Sequence, residues 1–228
     1  MTNTTIVGIG AVAIGSPDPR RTQQAYRTLF EVADDDPLRC ANVAVEVGEG
    51  AGIVSVQFAV DEVAAAIRQL GRRGLVFEGD PAGCSVSGIS MSVGTAQPDS
   101  SDPLELDHLV INTGNVERAV ALYGGRLGLD LRLDRSQSWG ARQLFFRCGS
   151  AIVEVVSRSE DLDADDVLWG LAWRTTQIEV LHARLAAAGI SVGELKSGRK
   201  PGSTVFTIHD DALVAPTIII SHTPKEAE

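Results

Sequence analysis

The chain has 228 residues and a mass of 24.1 kDa, and its 44% hydrophobic and 22% charged content is an ordinary globular composition with enough length for a real core. A net charge of -10 and a pI near 4.9, with no basic cluster, exclude a nucleic-acid surface, and the strand-sized apolar runs fall short of a membrane span. Three cysteines (Cys40, Cys84, Cys148) without CxxC spacing frame neither a disulfide scaffold nor a zinc knuckle, and Met1-Thr-Asn-Thr-Thr has no signal-peptide character, so the expected compartment is the cytoplasm.

Ile9 to Ile14 reads as a strand, and Ser16-Pro-Asp-Pro, an N-cap residue with early prolines, opens a helix over Arg20 to Phe30. Ala33-Asp-Asp-Asp-Pro stands where a hairpin would fit. A second unit begins with a strand from Ile53 to Val60 and an amphipathic helix from Glu62 to Arg73, with Val63, Ala66, Ile67 and Leu70 on one face and Gly74 as its cap. Leu75 to Val93 is rich in Gly and Ser and patterned only weakly as strand. Ala96-Gln-Pro-Asp-Ser-Ser-Asp-Pro103 is a linker between two apolar blocks. Gly8-Ile-Gly10 has no third glycine at dinucleotide-binding spacing.

The stretch from Leu104 to Ser157 is the most complete unit. A strand from Leu106 to Ile111 carries His108. A helix follows from Val116 to Leu127, with Val116, Ala119, Val120, Tyr123 and Leu127 on one face and Gly128 as its C-cap. Strands Asp130 to Arg135, Gln143 to Cys148 and Ala151 to Val156 come next; the last two are joined at Cys148-Gly149-Ser150, and the last carries a lone acid, Glu154. An acidic connector, Ser159 to Asp166, reads as a solvated loop. The final unit has a strand from Leu168 to Arg174, a helix from Ile178 to Ala188 closed by Gly189, and strands Ile190 to Glu194, Ser203 to His209 and Pro216 to Ser221. Arg39 to Val47 parallels Arg147 to Val155, and aligning Tyr26 with Tyr123 puts Ala11 at the place of His108. Four weak repeats therefore organise the chain.

The order over 104–157 carries Asp107-His108-Leu109-Val110-Ile111 on the first strand and Glu117-Arg118-Ala119-Val120-Ala121-Leu122-Tyr123 on the helix. Leu127-Gly128-Leu129 follows the helix, and Val153-Glu154-Val155 lies on the last strand. This resembles one module of the vicinal oxygen chelate superfamily, the group of glyoxalase I, bleomycin-resistance proteins and extradiol dioxygenases. The resemblance implies an α+β fold of tandem βαβββ modules, four in number and two of them degenerate, forming open cup-shaped mixed sheets. It implies a degenerate N-terminal pair over 1–95, the linker 96–103 and a C-terminal domain over 104–223 that holds the site. It also allows a homodimer, although four modules in one chain can complete a cup without a partner.

Metal-using members of the superfamily hold a divalent ion with three or four His, Glu or Gln side chains from the first and fourth strands of paired modules. Such a site leaves positions open for a substrate with two adjacent oxygens. The resemblance thus makes His108 and Glu154 candidate ligands for Fe, Mn, Ni or Zn and candidate catalytic groups, with His222, just past the last strand, as the third ligand. The site looks incomplete, because the equivalent positions of the fourth module fall on Gly170 or Leu171 and on Ile218 or Ile219, and those of the first two modules on Ala11 and Ser55. Glu46 occupies a fourth-strand position in the first module. Without a metal, His108 would be a hydrogen-bonded neutral histidine, and Glu154 a buried acid needing a partner such as Arg142 or Arg147. His182 and His209 read as solvent-facing.

Trp139, Gln143, Phe145, Trp169 and Trp173 are candidate cup-lining residues for an aromatic or acyl ligand, against ordinary core packing as the alternative. Gly198-Arg199-Lys200 is a basic loop, either an exposed turn or a grip for a ligand carboxylate or phosphate. Three functions stay open: a metal-dependent lyase, isomerase or ring-cleaving dioxygenase on a small oxygen-rich substrate; a non-catalytic protein that sequesters a small molecule; and a metal-independent enzyme using His108 and Glu154 for proton transfer.

Overall fold

The computed structural model describes residues 6–79, 82–97, 102–138, 140–157 and 161–222. The N-terminal sheet is built from β1 (Ile6–Ser16), β2 (Ala44–Glu49), β3 (Gly52–Val60), β4 (Gly83–Val86) and β5 (Ile89–Thr95), in the order β2-β1-β3-β5-β4. Helices α1 (Pro19–Phe30) and α2 (Val63–Arg72) belong to it. The C-terminal sheet contains β6 (Leu104–Thr113), β7 (Asp130–Ser136), β8 (Arg142–Cys148), β9 (Ala151–Ser157), β10 (Val167–Thr175), β11 (Lys196–Ser197), β12 (Ser203–Ile208) and β13 (Thr217–His222). Their order is β11-β12-β13-β10-β6-β9-β8-β7. Its helices are α3, which starts at Val116–Ala119, and α4 (Ile178–Ala187). Among the described residues no helix is long and apolar enough to cross a membrane.

One pairing rule generates both sheets. The first and last strands of each unit lie parallel, β1 with β2, β3 with β5, β6 with β9 and β10 with β13. Units then join through antiparallel first strands, β1 with β3 and β6 with β10. The first unit lacks the middle hairpin, and the loop of Asp34, Asp35 and Asp36 stands in its place. The weakly patterned stretch after α2 forms the β4–β5 hairpin, turned by Ser87 and Gly88, both at positive φ.

Three local expectations differ. The helix of the third unit winds as a π-helix over Val120–Arg126, where Gly124 and Gly125 reduce the cost of a wider turn. Ile190 to Glu194 forms no strand; only Val192 bridges to Ile208. The acidic connector is not wholly solvated, because Asp166 is buried and bound by Arg118 at 2.7 Å, while its N–H donates to Ser87 O at 2.8 Å.

A single hydrophobic core runs through both sheets and their helices. Phe30 of α1 meets Trp173 of β10 edge-on at 5.1 Å, and Tyr26 donates to Leu213 O. Asn42, in the loop before β2, completes the hydrogen bonding of β6. Its Oδ1 accepts from Leu106 N–H at 2.8 Å, and its Nδ2 donates to Leu106 O and Ser150 Oγ, each at 3.0 Å. It does so where β9, which begins at Ala151, no longer reaches. Both polar groups of Leu106 are thereby satisfied by the other half of the chain.

Candidate functional site

The site begins with a phase change in β6. Leu104, Leu106, Leu109 and Ile111 all belong to the core, so the inward positions switch from even to odd numbers between 106 and 109. The pairing with β10 shows why: Ala172 faces His108 and Trp173 faces Leu106, leaving Asp107 as the extra residue of a β-bulge. Asp107 and His108 therefore share the open face, opposite the helices, and the imidazole Nδ1 lies 2.9 Å from Asp107 Oδ2. A second bulge in β10 leaves Trp169 as the extra residue there.

Across the open face a line of polar groups follows. His108 Nε2 lies 3.2 Å from Glu154 Oε2, and Gln143 Nε2 donates to Glu154 Oε1 at 2.6 Å. Gln143 in turn meets the Gln137 amide. On the other side Arg174 bonds Asp107 at 3.2 Å and Glu105 at 2.6 Å. Burial opposes the ionisation of Asp107, but the hydrogen bond from His108 and the charges of His108, Arg174 and His222 outweigh it and hold its carboxyl below the usual range. His222 lies at the end of β13, opposite Ser203 of β12. Burial and the charge of Lys200 push its pKa down despite Asp107, and its Nδ1 is buried without a partner.

Apolar side chains flank this line. Val110, Ala141 and Val156 form their own small buried cluster. They adjoin a cleft of about 230 Å³ that includes Asn112, Val156, Ala164 and Val167. On the far side Ala172, Ile218 and Thr207 face one another across β10, β13 and β12, as do Ile220 and Val205 across β13 and β12.

His108 and Glu154 thus come together as direct partners. Neither Arg142 nor Arg147 serves Glu154: Arg142 holds Asp134 with two hydrogen bonds, and Arg147 is exposed. Gln143 is buried behind Glu154, and Phe145 pairs with Glu154 across β8 and β9. Trp173 is 0% exposed and packed in the core on Phe30, so it lines no cup; Trp169 is 44% exposed. Trp139 lies outside the described residues. Arg199 and Lys200 are exposed in the turn between β11 and β12, and Glu46 is exposed on β2 of the other sheet. His182 is half-buried, with Nε2 2.9 Å from Gly193 O and its ring against Phe206, while His209 is exposed. Asp107, which no pattern argument singled out, is the residue that orients His108.

The site offers too few donors for a chelated divalent ion: beside His108 and Glu154, the neighbouring first- and fourth-strand positions carry Gly170, Ala172, Ile218 and Ile220. His222 does not join the pair: among the described residues no group of three or more His, Cys, Asp or Glu could hold a metal ion.

Residues 105–212 match the profile of the Glyoxalase/Bleomycin resistance protein/Dioxygenase superfamily. The matched stretch, just under half of the chain, runs from β6 to beyond β12 of the C-terminal sheet, and the fold is similar to that of the vicinal oxygen chelate superfamily. Its structure is similar to a mutant of 4-hydroxymandelate synthase from Streptomyces coelicolor, with a TM-score of 0.74 at 10% identity over 98% of this chain and 95% of that one. It is also similar to a halotolerant catechol dioxygenase, with a TM-score of 0.72 at 10% identity over 96% of this chain and 88% of that one. No curated protein matches the sequence. At such identities the likeness is one of fold.

Proposed function

We propose that this protein binds a small, largely apolar molecule on the open face of its C-terminal sheet without a catalytic metal. The observation that carries this reading is the closure of the His108–Glu154 pair on itself. His108 meets an acid at each ring nitrogen, and both Glu154 oxygens are engaged, Oε1 by Gln143 and Oε2 by His108. Glu154 is 8% exposed, so little of either oxygen is presented to a substrate as a base. A ligand-binding face of mostly apolar walls with a few fixed polar groups is the arrangement that small-molecule sites use. The cleft of about 230 Å³ beside Val156 has the scale of one aromatic ring, since a cavity of about 150 Å³ accepts benzene.

The untagged protein and a His108→Ala/Glu154→Gln double variant, analysed for metals by mass spectrometry after exposure to Fe, Mn, Ni and Zn, are both expected to be free of stoichiometric metal. Near-stoichiometric metal in the wild type that disappears in the double variant would overturn this reading and restore the lyase and dioxygenase chemistries.

A further inference from the structure

The chain contains three lysines, Lys196, Lys200 and Lys225, all in its last 33 residues, although its net charge is -10. Two of them fall at the outer edge of the C-terminal sheet, Lys196 on β11 and Lys200 in the turn that leads into β12; Lys225 lies outside the described residues. That turn is built rather than loose. Ser203 holds it with two hydrogen bonds to Lys200 O, from its N–H at 3.0 Å and its Oγ at 2.6 Å, and Gly198 N–H donates to Ser203 O at 2.8 Å. Ser203 is also the residue that faces His222 across the β12–β13 pair.

His222 presents a buried Nδ1 that no protein group satisfies, and a buried donor left without an acceptor costs about 1–3 kcal/mol. The nearby carboxylate of Asp107 is already committed to His108 and Arg174. No ion pair engages Lys200 among the described residues. Along the same two strands lie Ile218, Ile220 and Val205, an apolar run leading up to this corner.

We infer that the corner formed by Lys200, Ser203 and His222 receives the anionic group of an amphipathic ligand, a carboxylate or sulfonate, whose apolar body lies over Ile218, Ile220 and Val205. This rests on the reading above that the open face of this sheet binds a small molecule, but it places the apolar body on the β12–β13 side of that face, away from the cleft beside Val156. Lys200 supplies the cation, and neutral His222, protonated on Nδ1, donates the hydrogen bond it otherwise lacks. In a chain of net charge -10 an anion gains nothing from the overall field, so a preference for one must come from a local site.

The test compares two fluorescent probes with one aromatic framework: 1-anilinonaphthalene-8-sulfonate and its uncharged analogue N-phenyl-1-naphthylamine. The full-length protein should bind the sulfonate about tenfold more tightly, the scale of one charge-assisted hydrogen bond. Lys200→Ala/His222→Gln should abolish that preference and leave the neutral probe unchanged. Lys200→Ala alone, at an exposed position that folding does not depend on, should remove most of it. Equal binding of the two probes by the wild type, or a preference that survives both variants, overturns the anion corner. Binding of the sulfonate in a Lys200-dependent way while the neutral probe fails to bind would instead uphold the corner and count against the apolar-ligand reading.

Discussion

At Asp107 burial works against ionisation, yet a hydrogen bond from His108 and the surrounding positive charges prevail and the carboxyl stays ionised below its usual range. A depressed carboxyl stabilises the fold fully above its unfolded pKa, about 3.9, and the contribution is lost as pH falls through the folded value. Asp107→Ala should therefore cost about 1.5–3 kcal/mol at pH 7, the range for a hydrogen bond to a charged group. In urea titrations the gap from wild type should close once the pH falls below about 4, where the carboxyl takes up its proton. A gap that persisted undiminished at about pH 2 would show that the carboxyl is not held ionised by His108 and Arg174. His108 and Glu154 were legible as residues because a lone histidine and a lone acid in apolar strands stand out. Their partners were not, since nothing in residue type separates a ligand from an acceptor already bonded.

The bulges explain which side chains the alternation of a strand misplaces. Trp169 and Trp173 have the same parity, so an unbroken β10 would put both on one face; the extra residue at 169 separates them, and Trp173 turns to the core. The corresponding shift in β6 was written in the sequence as leucines at 104 and 106 followed by Leu109 and Ile111, a change of phase around Asp107-His108. A strand's existence is thus easier to read than its faces, because one inserted residue reverses everything beyond it. Asn42 belongs to the same scale, but its partner Leu106 is 64 residues away and no local pattern announces it. Asn42→Ala should leave the N–H and C=O of Leu106 without their partners and destabilise the protein by about 1–3 kcal/mol in chemical denaturation. Wild-type stability in that variant would mean that solvent satisfies the start of β6 equally well.

Across the whole molecule, the linker read from composition separates two sheets that nevertheless share one core. Phe30 on Trp173 and the bond from Tyr26 to Leu213 O tie α1 to the other half, so neither sheet completes its burial alone. Urea unfolding followed by far-UV circular dichroism and by tryptophan fluorescence should accordingly give one coincident transition. Two separated transitions would show that the sheets unfold independently.

Such sharing bears on what the N-terminal half is for. It has alanine at 11 and serine at 55 where the C-terminal half places His108, and a gene shortened to the later half would at first sight keep the candidate site. The shortened product would, however, leave the strand that carries His108 frayed at its first residues and the indole of Trp173 bare. A half without the histidine is thus still needed, as a truss for the sheet that carries it.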